Sequence, residues 1–483
     1  MKRYIYILAA IILSSCNESE KIVTTDIYPP IYPDYIGVTI PTTIAPLNFN
    51  MIDDDVEQMK VSISNTNGDK YDINSTYACF DIDEWREIIE KSKGDTLYVD
   101  VQAKKSDTWT QYKQFPIYVS KDTLADRCIT YRRLAPTYNV YSIFMGIFCR
   151  DIMTFDEGTI IDNTINKGMC VNCHIQNKTS SKDRMVHIRG PLGGTYIKHN
   201  GKEEIVNTKL DSLMSVCVYN TWHPSGRYIA FSVNKTTQSF HVGGLKRIEV
   251  YDQGSDIVVY NVEEHEIIRQ PMLMTDDCET YPTFSPDGDW LYFCSSKRPE
   301  NDECEEFKYD IKRVAFDKEK GEVYGEIETI VDASSMGKNA TFARISPDGK
   351  YLMYCESDYG TFPIHHPEAD LRMLDMSTMQ VDSMAGANSR DAESYHNWSA
   401  DSHWYVFCSR RDDGQHTRLY IGHIGDDGKC DKAFMLPQKD PKRYYGELFQ
   451  SYNTPDFCDE MIEIDHRWLL SNLKKGGKSI GLK

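Results

Sequence analysis

The sequence predicts an all-β protein: a small N-terminal β-sandwich over residues 35–119, then a roughly six-bladed β-propeller over 120–471 that carries an insertion at about 162–192 bearing two closely spaced cysteines. Three observations predict it. Apolar residues alternate with polar ones in short runs, the period-two pattern of half-buried strands. One turn sequence recurs four times, each time followed by an apolar strand. The 483 residues exceed the roughly 150 of an ordinary domain, and 40% are hydrophobic and 12% aromatic, enough to build several packed sheets. A formal charge of -19 argues against a nucleic-acid surface, because phosphate contacts need clustered Lys and Arg.

The N-terminus comes first. Lys2 and Arg3 precede an apolar run from Tyr4 to Leu13, too short to span a bilayer, and Leu13-Ser14-Ser15-Cys16 follows. This resembles a bacterial lipoprotein signal of residues 1–15, and the resemblance implies removal of that peptide and lipidation of Cys16. Asn17-Glu18-Ser19-Glu20 resembles in part the acidic export tag of Bacteroidota surface lipoproteins. The resemblance implies a cell-envelope location, lipid-anchored in the outer membrane with periplasmic or surface facing open. Losing Lys2 and Arg3 takes the net charge from -19 to -21, which favours a partner with a basic surface. Residues 16–34, with Pro29, Pro30 and Pro33, read as a tether.

Within the sandwich, Met59, Val61 and Ile63 alternate, Asn67-Gly68 supplies a turn, and Tyr71 and Ile73 resume: a hairpin. Strands are expected at Leu97 to Val101 and Phe115 to Val119, with one helix around Glu84 to Lys91.

The repeated turn then appears as Trp222-His223-Pro224-Ser225-Gly226, Phe284-Ser285-Pro286-Asp287-Gly288, Ile345-Ser346-Pro347-Asp348-Gly349 and Trp398-Ser399-Ala400-Asp401-Ser402. Counting from Pro224 to Pro286, Pro347 and Ala400 gives separations of 62, 61 and 53 residues, long enough for a four-stranded blade with loop insertions. The motif resembles that of the TolB-like β-propeller family, which implies a ring of such sheets. Residues 472–483 remain as a C-terminal tail.

The repeat register sorts the side chains. Cys294, Cys355 and Cys408 stand six residues after Gly288, Gly349 and Ser402, which makes them small packing groups facing one way around the ring. Tyr219, Tyr281, Phe342 and Tyr395 share another register position and read as core or as the lining of a channel mouth.

Cys170-Val171-Asn172-Cys173-His174 is the Cys-x-x-Cys-His pattern of c-type haem attachment. Two thiols a short distance apart add to the haem vinyl groups, and the adjacent imidazole of His174 becomes the proximal iron ligand. A zinc site would want a second ligand pair, and Cys217 is distant and alone. A redox pair would open a helix after a strand. Met185 or His187 is expected as the distal ligand, with Arg184 and Arg189 beside them to neutralise propionates. No phosphate-binding loop, Gly-x-Ser-x-Gly elbow or zincin motif occurs. His365-His366 reads as a loop pair, and Asp53-Asp54-Asp55 and Asp412-Asp413 as solvated turns.

The expected protein is a membrane-anchored, extracytoplasmic c-type cytochrome-like propeller with one haem c, passing single electrons to a redox partner. It is more an electron carrier or binding protein than a catalyst. Two alternatives stand beside it: an envelope binding or assembly scaffold in which haem is structural or absent, and a haem-dependent oxidoreductase. The sequence specifies neither substrate nor oligomeric state.

Overall fold

A computed structural model describes residues 21–136, 144–240, 246, 248–300 and 303–483. The expected signal segment, residues 1–15, and Cys16 lie outside the described residues. Among the described residues no helix is long and apolar enough to cross a membrane.

The N-terminal unit is built on one seven-stranded sheet. Gln58–Asn65 pairs with Lys70–Ser75 through the expected hairpin, with Val61 opposite Ile73 and Ile63 opposite Tyr71. Its other edge runs along Thr96–Lys105, whose far side is shared by Thr108–Gln111 and Phe115–Val119. Met59, Val61, Ile63, Leu97, Val99 and Val101 turn to one face and are buried there. The opposing layer of a sandwich is supplied by a helix, Ile82–Lys91, and by short segments such as the two-stranded pair Ile31–Tyr32 and Asn50–Met51. The helix is capped by the Asp81 carboxylate, which accepts from the Asp83 and Glu84 N–H groups, and it buries Trp85, Ile88 and Ile89. The described part of the tether is pinned: Lys21–Thr24 pairs in parallel with Thr108–Gln111 at the sheet edge.

The remainder is a propeller. Five arrays of four antiparallel strands follow in chain order, with innermost strands Cys170–Asn177, Cys217–Trp222, Cys278–Phe284, Asn339–Ile345 and Glu393–Trp398. A sixth closes the ring: Ser451–Cys458 from the C-terminal region pairs with Cys128–Leu134, which continues outward to Met145–Asp151 and Glu157–Asp162. We call this mixed array the first blade and number the others in chain order. The innermost strands neighbour one another around the full circle. Joining an early strand to a late one in the same blade closes the ring, and among the described residues of the propeller only its outer edges stay open.

Two of those edges are covered. The terminal residues do not trail as a tail: Lys478–Ser479 pairs beside the outer strand of the second blade, and Gly481–Leu482 beside that of the third.

The repeated turn is held by one device. In the fourth blade Ser285 Oγ donates to Asp287 Oδ1 at 2.5 Å and accepts from the Trp290 N–H at 3.0 Å, while Gly288 takes φ 75°. Ser346 and Ser399 repeat it at Tyr351 and Trp404, and in the third blade His223 Nδ1 takes the serine's place, receiving the Ser225 N–H at 3.1 Å.

Candidate functional site: the central cavity

Each innermost strand carries a two-residue bulge at the same depth in the ring. A bulge bends its strand and re-aims a side chain. At these bulges Tyr219, Tyr281, Phe342, Tyr395 and Thr454 adopt left-handed φ values of 45–56°. The four aromatic residues thereby turn into the channel as a continuous row of mutually tilted rings, with centroids 4.8, 4.3 and 5.0 Å apart. They line a central cavity of about 1220 Å³. Both readings open for these residues hold at once: Tyr281, Phe342 and Tyr395 belong to the buried core, Tyr219 packs against it, and all four line the channel.

The row leaves a polar sector at the first and second blades. There the bulge positions are Thr454-Pro455 and Asn172-Cys173, the middle of the Cys-x-x-Cys-His motif. That motif therefore lies in a regular innermost strand, which corrects the expectation of an inserted segment. Where the later blades carry the Ser-Pro-Asp-Gly-like turn, this blade has a tight turn with Lys178 and Thr179 at positive φ. Cys170, Cys173 and His174 all line the cavity. Both cysteines are unbridged and half-buried. Neither ring nitrogen of the buried His174 meets a side-chain hydrogen-bond partner among the described residues, and burial beside the Arg132 guanidinium lowers its pKa to about 3, so the imidazole is neutral.

Met185 and His187 are placed elsewhere. His174 stands opposite Val186, on the face that packs toward the first blade. Met185 and His187 alternate with Val186 onto the other face, where Met185 is fully buried among Ile197, Cys217 and Ile229. His187 is buried with Nδ1 at 2.9 Å from Thr195 Oγ1. Neither lines the cavity, so the expected fold-back over His174 is not met by this arrangement. Arg184 also turns away, donating to the Ser181 and Glu463 carbonyls, whereas Arg189 does line the cavity.

Sequence reading missed several wall residues. Arg132 hydrogen-bonds Asn172 Oδ1 across the first two blades. Asp456 accepts from the Gln176 N–H at 3.1 Å and from Asn397 Nδ2 at 2.6 Å, and burial raises its pKa to about 7. Burial likewise lowers the pKa of Arg344. Counting backward from Phe457 as a sixth turn residue would have brought Asp456 into register, but Cys458-Asp459-Glu460 carries no recognisable turn.

The register-matched cysteines are buried and unbridged. Each reaches the next blade's innermost strand: Cys355 Sγ lies 3.2 Å from the Glu393 carbonyl and Cys408 Sγ 3.3 Å from that of Tyr452. His366 is committed to Glu249 at 3.0 Å, and Asp53 and Asp55 to Lys105 at 2.9 Å each.

The fold and the site thus define a β-propeller with a ligand-sized central cavity. No family model matches the chain, and no curated protein matches it. Among solved structures it is similar to TolB from Agrobacterium tumefaciens, at 13% identity and a TM-score of 0.38, covering 69% of this chain and 98% of that one. It is also similar to the periplasmic gluconolactonase of Pseudomonas aeruginosa, at 13% and 0.34, covering 68% and 99%. An oligogalacturonate lyase in complex with manganese gives 11% and 0.36, covering 63% and 78%. Likeness at this level says nothing of activity, and the propeller is established by the strand pairing.

Proposed function

We propose that this chain is a single-haem protein of the cell envelope. Cys170 and Cys173 would hold haem c through thioethers, His174 would ligate its iron, and the group would occupy the central cavity and exchange one electron with a partner protein. The observation that carries the reading is the convergence of the motif on that cavity. Two unbridged thiols and a neutral imidazole without a side-chain partner among the described residues border a space of about 1220 Å³, against the roughly 300–1,000 Å³ of common ligand sites. Haem c supplies a reversible one-electron couple whose potential follows its axial ligands and surroundings.

The chain's own residues would do the rest. The row of aromatic rings forms one side of the cavity. Arg132 and Arg189 supply cations on its wall that suit propionate carboxylates. A second axial ligand from Met185 or His187 would require their strand to open. The cavity wall itself offers Met145 and His396, and we favour these two. An N-terminal lipid on Cys16 would hold the protein to the membrane, and the acidic surface suits a basic redox partner.

The binding-scaffold reading draws on the same cavity, because a wall of aromatic rings beside arginines also suits a soluble aromatic or anionic ligand. Expression with the haem-attachment machinery separates the two. Covalent haem retained after denaturation, with a reversible visible-spectrum change on reduction, is expected; a colourless protein would leave only the scaffold. Exchanging Met145 and His396 one at a time should move the potential for the true ligand alone.

A further inference from the structure

A second cluster lies away from the cavity, where the N-terminal unit meets the sixth blade. Asp122 stands in the connection between Phe115–Val119 and Cys128–Leu134. His403 directly follows the repeated turn of the sixth blade, and His423 ends that blade's third strand, Arg418–His423. One ligand atom from each of the three lies within 4.8 Å of the other two. His423 Nε2 is 2.9 Å from Asp122 Oδ2, and His403 Nδ1 is 3.9 Å from the same oxygen.

The surroundings prepare the site. His423 Nδ1 is 2.8 Å from Asp431 Oδ2, so the Nδ1–H donates there and Nε2 faces Asp122, where a metal would take the place of its proton, the arrangement of a carboxylate–histidine–metal relay. The Trp404 ring, with its centroid 4.5 Å away, fixes the imidazole plane. His423 is buried while His403 is half-exposed, leaving one side open to water. The other charged pair at this edge, Lys121 and Asp426, is closed on itself at 2.6 Å. Without an ion, His423 bridges the carboxylates of Asp122 and Asp431, and His403 Nδ1 lies 3.2 Å from the Ile424 carbonyl.

We propose that Asp122, His403 and His423 bind one divalent transition-metal ion of the zinc type, with water in the fourth position, and that the ion clamps the N-terminal unit to the propeller. Two imidazoles and a carboxylate are ordinary zinc donors, and three protein ligands leave such a site open. Binding would release the proton held at His423 Nε2 and free His403 Nδ1 from Ile424.

The test uses the full chain without a histidine tag, carrying Cys170→Ser and Cys173→Ser so that those thiols cannot compete. Titration with Zn²⁺ should give one site per chain and raise the melting temperature. His403→Ala, at a half-exposed position, should weaken binding more than tenfold and abolish the thermal shift, and Asp431→Asn should weaken it by about 10–100-fold through loss of ligand orientation. Co²⁺ substitution should give nitrogen- and oxygen-ligand bands without thiolate charge transfer. Absence of stoichiometric binding, unchanged binding in His403→Ala, or a thiolate band would overturn the proposal.

Discussion

Gly288 and Gly349 occupy the same place in two copies of the repeated turn, both at φ 75°, yet their surroundings differ. A Cβ at Gly349 would meet nothing within 4 Å, whereas one at Gly288 would lie 2.3 Å from His223 Nε2 and 2.7 Å from its Cε1. The His223 ring has little room to retreat: it is buried, its Nδ1 is 2.7 Å from Ser225 Oγ, and it packs on Phe284 at 4.9 Å and Phe316 at 5.3 Å. Gly349→Ala should therefore cost only the left-handed strain, about 1–2 kcal/mol. Gly288→Ala should cost that and a further amount of about 1–3 kcal/mol for displacing a packed ring. The small gain from stiffening the unfolded chain is common to both and cancels in the comparison. Urea unfolding of the two variants side by side, with equal m values, measures the difference. Equal losses would refute the idea that successive turns interlock through His223. Ser402 already holds this position at φ 68°, and its Oγ accepts the Asp348 N–H at 3.0 Å from the neighbouring blade. Ser402→Gly should thus be close to neutral, strain relief offsetting a lost hydrogen bond.

Two further outcomes are expected. The buried blade thiols should resist alkylation in the native state and react fully in denaturant, and reductant should leave the melting temperature unchanged; burial pushes the Cys294 thiol up to about 12 and holds it protonated. A native reaction at Cys294, Cys355 or Cys408, or a melting temperature lowered by reductant, would contradict their packing role. Asp456→Asn should gain stability relative to the parent as pH rises from about 4 to about 7 and then level off. The parent's carboxyl, raised to about 7 by burial, binds a proton in the folded state that the unfolded chain has already lost, so its penalty grows over that window, to a few kcal/mol at most. A pH-independent difference between the two proteins would show that Asp456 ionises normally.

Much of the fold was legible because its signals are local. The hairpin at Asn67-Gly68, the helix after Asp81 and the four Ser-Pro-Asp-Gly-like turns each depend on residues a few positions apart, and all form where expected. The two blades that lacked the turn were harder. The second uses a tight turn at Lys178-Thr179, and the first is completed by a strand more than 300 residues away in sequence, at Ser451–Cys458.

By itself the sequence determined the repeat, and with it the all-β ring, the alignment of Cys294, Cys355 and Cys408, and the Cys-x-x-Cys-His motif, since each is a pattern along the chain. Only the tertiary structure decided what those patterns face. One bulge in each innermost strand turns Tyr219, Tyr281, Phe342 and Tyr395 into the channel and sets Cys170, Cys173 and His174 on the same cavity. The alternation of a strand sends Met185 and His187 to the opposite face. Asp122, His403 and His423 meet only because the N-terminal unit docks on the sixth blade. Pairing across the ring and the parity of a strand depend on residues far apart in the chain, so no local pattern encodes them.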